Sequence, residues 1–408
     1  MSKSMLLDIL QRHSGRQILE TGPKPAITSS HVAIFPFLGI VGQVEMKTAL
    51  ILSVINPAVG GVLLIGPRGT GKTTAVRGLV DLMPPVPRSL CVYGCEEEAA
   101  EIWGMDALCP DCAAKMGRGE PLTGLDRMRL IELPLNARLE DVIGGLNERI
   151  AIEQRRVRLE RGILAHAHRN LLYIDEVNLL GDVIVDAILD AAAQGRVNVR
   201  RGPLSAVYPA SFVLVGSMNP EEGALRPQIQ DRFGLRVIVD GLLSEENRLE
   251  VYRRVRVFRE HPDRLIAALA QDTIAFGKEI ESAVELLPHV ELTSTAERLA
   301  LQMVHQLSIS SHRAEITCLE AARAYAAADG RQQATVNDVA SVAPMALRQR
   351  RSDFMRGYFD SAGTERTEIE SICRATMDAA GSENGTELPP GGIHQQSTKY
   401  EHMEAKSE

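Results

Sequence analysis

The run Gly66-Pro67-Arg68-Gly69-Thr70-Gly71-Lys72-Thr73 has the residue types and spacing of a loop that wraps phosphate. Its glycines let backbone N–H groups close around a β-phosphate with no side chain in the way. Lys72 would reach the β- and γ-phosphates, and the Thr73 hydroxyl would meet Mg²⁺. An apolar run, Val62-Leu63-Leu64-Ile65, leads into the loop. Thr74-Ala75-Val76-Arg77-Gly78-Leu79-Val80 continues from it as a helix, whose N-terminal end favours anions. A Gly-rich turn that binds nothing is the alternative, and the strand–loop–helix order weighs against it.

A second apolar run, Leu171-Leu172-Tyr173-Ile174, delivers Asp175 and Glu176 to a strand end, where nucleotide sites of open α/β sheets gather their carboxylates. Asp175 can hold Mg²⁺ and Glu176 can polarise the attacking water. Alone, such a pair is usually a solvated strand end; after a phosphate loop the functional reading prevails. A third strand, Phe212–Gly216, ends at Ser217-Met218-Asn219-Pro220, where the Asn219 amide suits a γ-phosphate or the lytic water. Asn before Pro is also an ordinary turn. Arg226 and Arg232 follow, badly placed for their own nucleotide and well placed for a neighbour's. The competing reading is surface arginines paired with carboxylates such as Asp231.

Elements able to position these groups follow from periodicity. Residues 35–243 alternate short apolar runs with helical patterns, which predicts an α/β domain with a parallel sheet flanked by helices. Within it, residues 88–130 carry cysteines, glycines and prolines and read as an insertion. From Ser244 to 351 only helical patterns remain, predicting an all-α C-terminal helical domain. One helix places Cys318, Ala322, Tyr325 and Ala326 on one face, with Gly330 as its stop; Thr335 and Asp338 then form a capping box for the next. Residues 1–34 read as a polar, loosely held arm. Residues 352–408 form an extension, rich in Gly and Pro and expected to be disordered after about 380.

Net charge is −8, so no basic field draws the chain to nucleic acid, and the run Arg155-Arg156-Val157-Arg158 reads as a solvated helix face. No apolar stretch is long enough to span a membrane, and the N-terminal residues lack a signal-peptide h-region, which leaves the cytoplasm as the expectation. Cys91, Cys95, Cys109 and Cys112 sit in the insertion as two spaced pairs. They admit a structural Zn²⁺, free thiols or redox pairing, with no His in the segment to decide. Cys318 reads as core.

Taken together, Ile40-Val41-Gly42-Gln43, GPRGTGKTT (66–74), Asp141-Val142-Ile143-Gly144-Gly145, LLYIDEVNLL (171–180) and LVGSMNPEEGALRPQIQDRFGL (214–235) resemble the magnesium chelatase family of AAA+ P-loop ATPases, specifically its small ATPase subunit. The resemblance runs from about Phe35 to Arg351. It implies that Ile40, Val41 and Gly42 contact adenine, that Asn219 is sensor 1, Arg232 the arginine finger and Arg313 the sensor 2 arginine. It further implies an ATP-driven ring, expected to be hexameric, working with an AAA+-like subunit that carries an integrin-type domain. Together they would drive a large porphyrin-binding subunit to insert Mg²⁺ into protoporphyrin IX. Cobalt chelation and a MoxR-like chaperone acting on an integrin-domain partner stand as alternatives; a nucleic-acid motor is disfavoured by the charge.

Overall fold

Three apolar runs and two strands that each carry one charged residue become one parallel sheet: β1 (Val62–Ile65), β2 (Leu130–Leu133), β3 (Leu171–Ile174), β4 (Val213–Met218) and β5 (Leu235–Ile238), in the order β2-β3-β4-β1-β5. The computed structural model describes residues 6–10, 33–91, 93–105, 108–146, 159–202, 204–351 and 367–374. Every residue of β1, β3 and β4 is buried, as strands covered by helices on both faces require. Alternate residues feed opposite cores. Val62, Leu64, Tyr173 and Val215 join the core of α1 (Val44–Ile55) and α2 (Lys72–Leu79). Leu63, Ile65, Leu172 and Ile174 join that of α3 (Asp182–Gln194) and α4 (Pro227–Arg232).

The helical part starts where the composition changes: the Ser244 hydroxyl accepts from the Asn247 N–H and caps α5 (Glu245–Glu260). Next come α6 (Pro262–Leu286), α7 (Ser294–Gln306), α8 (Arg313–Ala328) and α9 (Val336–Leu347). Cys318 and Ala322 are buried on α8, Gly330 turns left-handed (φ +68°) just beyond it, and Thr335 and Asp338 cap α9 reciprocally. The expectation of helices alone needs one amendment, a parallel pair Glu291–Leu292 with Gln333–Ala334, too short to leave a periodicity.

Two expectations about the ends meet the structure differently. Residues 6–10 are helical, with Leu6, Ile9 and Leu10 buried in the main core, so this part of the N-terminal arm is anchored rather than loose. The i, i+3, i+4 spacing of those three residues is one apolar helix face, hidden in a segment that reads as polar overall. Residues 11–32, and the extension beyond 380, lie outside the described residues. The chain falls into two compact units, residues 1–351 and residues 352–408, and the described part of the second is an exposed helix.

The insertion is a module with its own core. Strands Pro85–Ser89 and Thr123–Arg127 pair antiparallel and enclose the helices Glu97–Trp103 and Pro110–Gly117. Cys95, Leu108, Cys109, Cys112 and Leu122 are buried between them.

Candidate active site

The phosphate loop leaves the C-terminal end of β1 at Gly66, where an added Cβ would lie 2.1 Å from the Val239 carbonyl oxygen. Only glycine fits this close approach. Gly69 and Gly71 take left-handed φ values of +81° and +89°, and Gly71 leads directly into α2. Lys72 is buried at the first position of that helix, and its Nζ donates to the carbonyls of Gly66 (2.7 Å) and Pro67 (2.8 Å). Burial lowers its pKa from the ordinary lysine value, against the opposing pull of Glu176, Asp175 and Glu222. Thr70 closes the loop by donating to the Pro67 carbonyl, and Thr74 sits two residues into the helix beyond Lys72.

Beside the loop, Thr73 Oγ1 stands 3.4 Å from Asp175 Oδ2. Two hard oxygen donors so close suit Mg²⁺, which takes one or two protein oxygens and completes its shell with water and phosphate. Glu176 adopts φ +52°, an uncommon conformation for a side-chain-bearing residue and one that clusters at functional sites. Its Oε2 accepts from the Asn219 N–H at 3.0 Å, and Oε1 lies 3.8 Å from Arg68 Nε. Arg68 also pairs with Glu222. Asn219 is buried, and its side-chain oxygen accepts from the Glu221 N–H, so it holds the turn that follows β4.

Two residues that motif reading passes over complete this cluster. The Tyr173 hydroxyl lies 3.0 Å from Thr73 Oγ1 and 2.9 Å from Asp175 Oδ1, and Ser217 Oγ donates to the same Oδ1 at 2.5 Å. Period-2 alternation offered the signal, since Tyr173 and Asp175 share a strand face. β4 also runs to Met218, two residues past the expected end, so Ser217 is a strand residue, one step beyond the Ile174–Gly216 pairing of β3 with β4.

Ile40, Val41 and Gly42 form a tight loop, with Gly42 at φ +61° and its Cβ position 2.6 Å from Leu242 Cδ2. Two buried cations brace it from below. Lys47 Nζ donates to the Ile40 carbonyl (2.9 Å) and Arg254 Nη1 to that of Gly39 (3.0 Å). Burial, then repulsion from Arg254, pulls Lys47 down to about 7.

The arginines lie elsewhere. Residues 233–235 follow α4 and bond to the strand's opposite end, with the Gly234 N–H on the Gly60 carbonyl and that of Leu235 on Gly61. Arg232 is therefore based at the N-terminal edge of β1 and the phosphate loop at its C-terminal edge, separated by roughly 13 Å of strand. Its Nη1 pairs with Asp190 at 2.7 Å and Asp186 at 3.5 Å, and Arg226 pairs with Asp182. The three aspartates form an i, i+4, i+8 row along α3. Arg313, exposed at the start of α8, lies 3.6 Å from Asp231 and lines the same cleft of about 360 Å³ as Arg232. Asp231 is tied in turn to the buried Arg350, whose guanidinium also reaches the carbonyls of Phe233, Gly234 and Ala346. Buried Arg236 crosses the other way, donating to the carbonyls of Arg348 and Gln349.

Lys72, Thr73, Asp175, Glu176 and Asn219 thus converge, while Arg232 and Arg313 share a second location. The four insertion cysteines also converge, with all sulfurs within 4.8 Å of one another. Cys91 Sγ lies 3.7 Å from both Cys95 and Cys109, far beyond a disulfide bond and close to the edge of a tetrahedron with bonds of about 2.3 Å. N–H groups of Tyr93 and Cys109 point at the sulfurs of Cys91 and Cys95. Burial would raise the Cys91 thiol, but hydrogen bonds from the Cys95 and Tyr93 backbone outweigh it and hold it down at about 7. Glu96–His168 (3.3 Å) and Glu98–Arg169 (2.5 Å) fasten the module to the residues just before β3.

The family model "Magnesium chelatase, subunit ChlI" matches residues 149–232, and the AAA lid domain model matches residues 300–372. The chain is 44% identical to the "Magnesium-chelatase subunit ChlI homolog" of Methanocaldococcus jannaschii over 324 residues, 79% of this chain and 87% of that protein. It is 42% identical to the magnesium-chelatase 38 kDa subunit of Acidiphilium rubrum over 320 residues, 78% of this chain and 91% of that one. Among solved structures, a chain from the cryo-EM-based complex between subunits BchI and BchD of magnesium chelatase is 37% identical. The match covers 78% of this chain and 96% of that chain, with a TM-score of 0.44.

Proposed function

The chain belongs to the magnesium chelatase subunit ChlI family of AAA+ ATPases, and on that footing we propose that it is the ATP-hydrolysing motor subunit of a metal chelatase. Its hydrolysis drives insertion of Mg²⁺ into protoporphyrin IX on a separate large subunit. The observation that carries this reading is the division of one catalytic set between the two ends of β1. A phosphate site at one end and arginines at the other make full sense only when copies of the chain meet, each completing the next.

In the proposed mechanism, residues 35–243 bind the nucleotide and 244–351 act as the lid. Residues 40–42 hold the adenine, and the N–H groups of 66–74 with Lys72 hold the β- and γ-phosphates. Thr73 and Asp175 would hold Mg²⁺, which when bound would offset the negative charge of the triphosphate. Glu176, oriented by the Asn219 N–H, takes the proton of the attacking water. The Asn219 side-chain oxygen holds the Glu221 N–H, and its amide nitrogen is the donor offered to the γ-phosphate. Arg232 of a neighbour, joined by Arg313 from the same cleft, stabilises charge on the transferring phosphoryl group. The assembly is a ring, proposed to be hexameric, in the cytoplasm. It acts with an integrin-domain AAA+-like subunit and a large porphyrin-binding subunit. The cysteine module holds a structural Zn²⁺ through Cys91, Cys95, Cys109 and Cys112.

The test is metal insertion itself. The chain alone is expected to hydrolyse ATP without binding protoporphyrin tightly, since aromatic residues make up only 4% of it and a flat macrocycle needs an aromatic-lined cleft. With both partner subunits, insertion should appear and require Lys72. Insertion proceeding equally well with Lys72→Ala would remove ATP from the reaction and the motor role with it.

A further inference from the structure

A buried phenol stands among the oxygens assigned to Mg²⁺, and nothing in the roles above uses it. Tyr173 is 1% exposed, its ring packed in the main core with Leu171, Val213 and Val215 from the same sheet face. Its hydroxyl lies within hydrogen-bond distance of Thr73 Oγ1 (3.0 Å), Asp175 Oδ1 (2.9 Å) and Ser217 Oγ (3.2 Å). Ser217 Oγ lies 2.5 Å from the same Asp175 Oδ1, and the Glu176 N–H donates to Ser217 Oγ at 3.2 Å.

Counting protons gives this cluster a direction. A phenol has one proton to donate and lone pairs to accept with, and a serine likewise. The Asp175 carboxylate can only accept, so Tyr173 and Ser217 both point their protons at Oδ1. The Ser217 oxygen is then filled by the Glu176 N–H. The Tyr173 oxygen is left to accept, and the Thr73 hydroxyl, 3.0 Å from it against 3.4 Å from Asp175 Oδ2, turns its proton to the nearer phenol. The proton of Thr73 is thereby drawn away from the phosphate side, leaving its lone pairs outward. Asp175 Oδ1 is saturated, leaving Oδ2, 3.4 Å from Thr73 Oγ1, as the oxygen turned to the same point.

We infer that Tyr173, seconded by Ser217, is a positioning residue for Mg²⁺, fixing in advance which lone pairs of Thr73 and Asp175 face the ion. The inference rests on the reading of those two residues as metal-facing. Groups that orient the ligands of a metal commonly matter about 10- to 100-fold in its affinity. A purely structural role would need only the ring, because the neighbours filling this face are leucine and valine and carry no polar tip.

Tyr173→Phe separates the two, since it keeps the ring and removes the oxygen. Binding of a fluorescent ATP analogue to the full-length chain is measured first in EDTA and then across a MgCl₂ titration. Tyr173→Phe should bind the analogue as wild type does in EDTA but need about 10-fold more Mg²⁺ to reach the half-way point. Ser217→Ala should shift the midpoint in the same direction, and gives a second route should the tyrosine variant prove unstable. A wild-type midpoint in both variants, or weakening that is equal with and without Mg²⁺, overturns the inference. Asp175→Ala is the control on the premise. If it loses the Mg²⁺ response while Tyr173→Phe keeps it, the inference alone fails. If Asp175→Ala, or the wild type against EDTA, shows no change, the metal-facing assignment fails with it.

Discussion

The two ends of β1 hold the two halves of the proposed catalytic set, and they are built differently. At the C-terminal end the proposed phosphate ligands are mostly backbone, set by glycines and a helix start, and Thr73, Tyr173, Asp175 and Ser217 bond to one another through their side chains. At the N-terminal end the group proposed to act is a long arginine at the end of α4, Arg232, parked on Asp186 and Asp190 of α3. A phosphate-binding half can be preorganised within one chain because its ligands are rigid main-chain dipoles. An arginine that must reach into another molecule has to be held soluble and oriented until that molecule arrives. Exposed pairs with Asp186 and Asp190 are worth at most about 1 kcal/mol, weak enough to exchange for a phosphate oxygen.

Breaking either half should therefore give different losses. Lys72→Ala removes the mobile cation of the phosphate loop and is expected to abolish nucleotide binding, read by equilibrium titration, with turnover lost as a consequence. Arg232→Ala should bind ATP nearly as wild type yet hydrolyse it on the order of 10³-fold more slowly. Glu176→Gln should likewise bind and fail to turn over. Mixing these two inactive variants sharpens the comparison, because some interfaces then pair an intact Glu176 with an intact Arg232 and activity should partly return. Absence of rescue in confirmed mixed assemblies would place both halves within one chain. The smallest expected effect at either end comes from the insertion. Replacing Cys109 and Cys112 by Ser should remove about one zinc per chain, measured by metal analysis, and leave ATP affinity within a few-fold of wild type. Metal-free wild-type protein, purified without chelators, would return the cysteines to free thiols.

How much of this was legible beforehand divides along the same line. Lys72, Thr73, Asp175 and Glu176 were readable because a loop around phosphate permits few sequences and sits between a strand and a helix in chain order. The helical part was readable from periodicity and from the Thr335–Asp338 cap. What lay hidden depended on contacts distant in sequence. Tyr173 passes for one more apolar residue of β3 until the fold brings Thr73 to its hydroxyl. Leu6, Ile9 and Leu10 gain meaning only from the core they enter. The pairing of Arg232 with Asp190 and the shared cleft with Arg313 join segments that no local pattern connects. The convergence of four sulfurs needed the hairpin to close.

The anchorage of residues 230–236 bears on how such a machine would move. Arg350 and Arg236 lace residues 231–236 to the end of α9 through bonds to five main-chain carbonyls, Arg350 to those of Asp231, Phe233 and Gly234 and Arg236 to those of Arg348 and Gln349. Such bonds between charged donors and carbonyls shut away from water are costly to break singly. Helix α9 and the arginine-bearing turn behave mechanically as one solid piece, and a hinge has to fall outside it. Any swing of that helix becomes a displacement of the Arg232 guanidinium, the group proposed to serve the next copy. In a closed circle of such copies, the posture of one subunit's lid would set the timing of its neighbour's chemistry, so that firing order is written into the joinery of each chain.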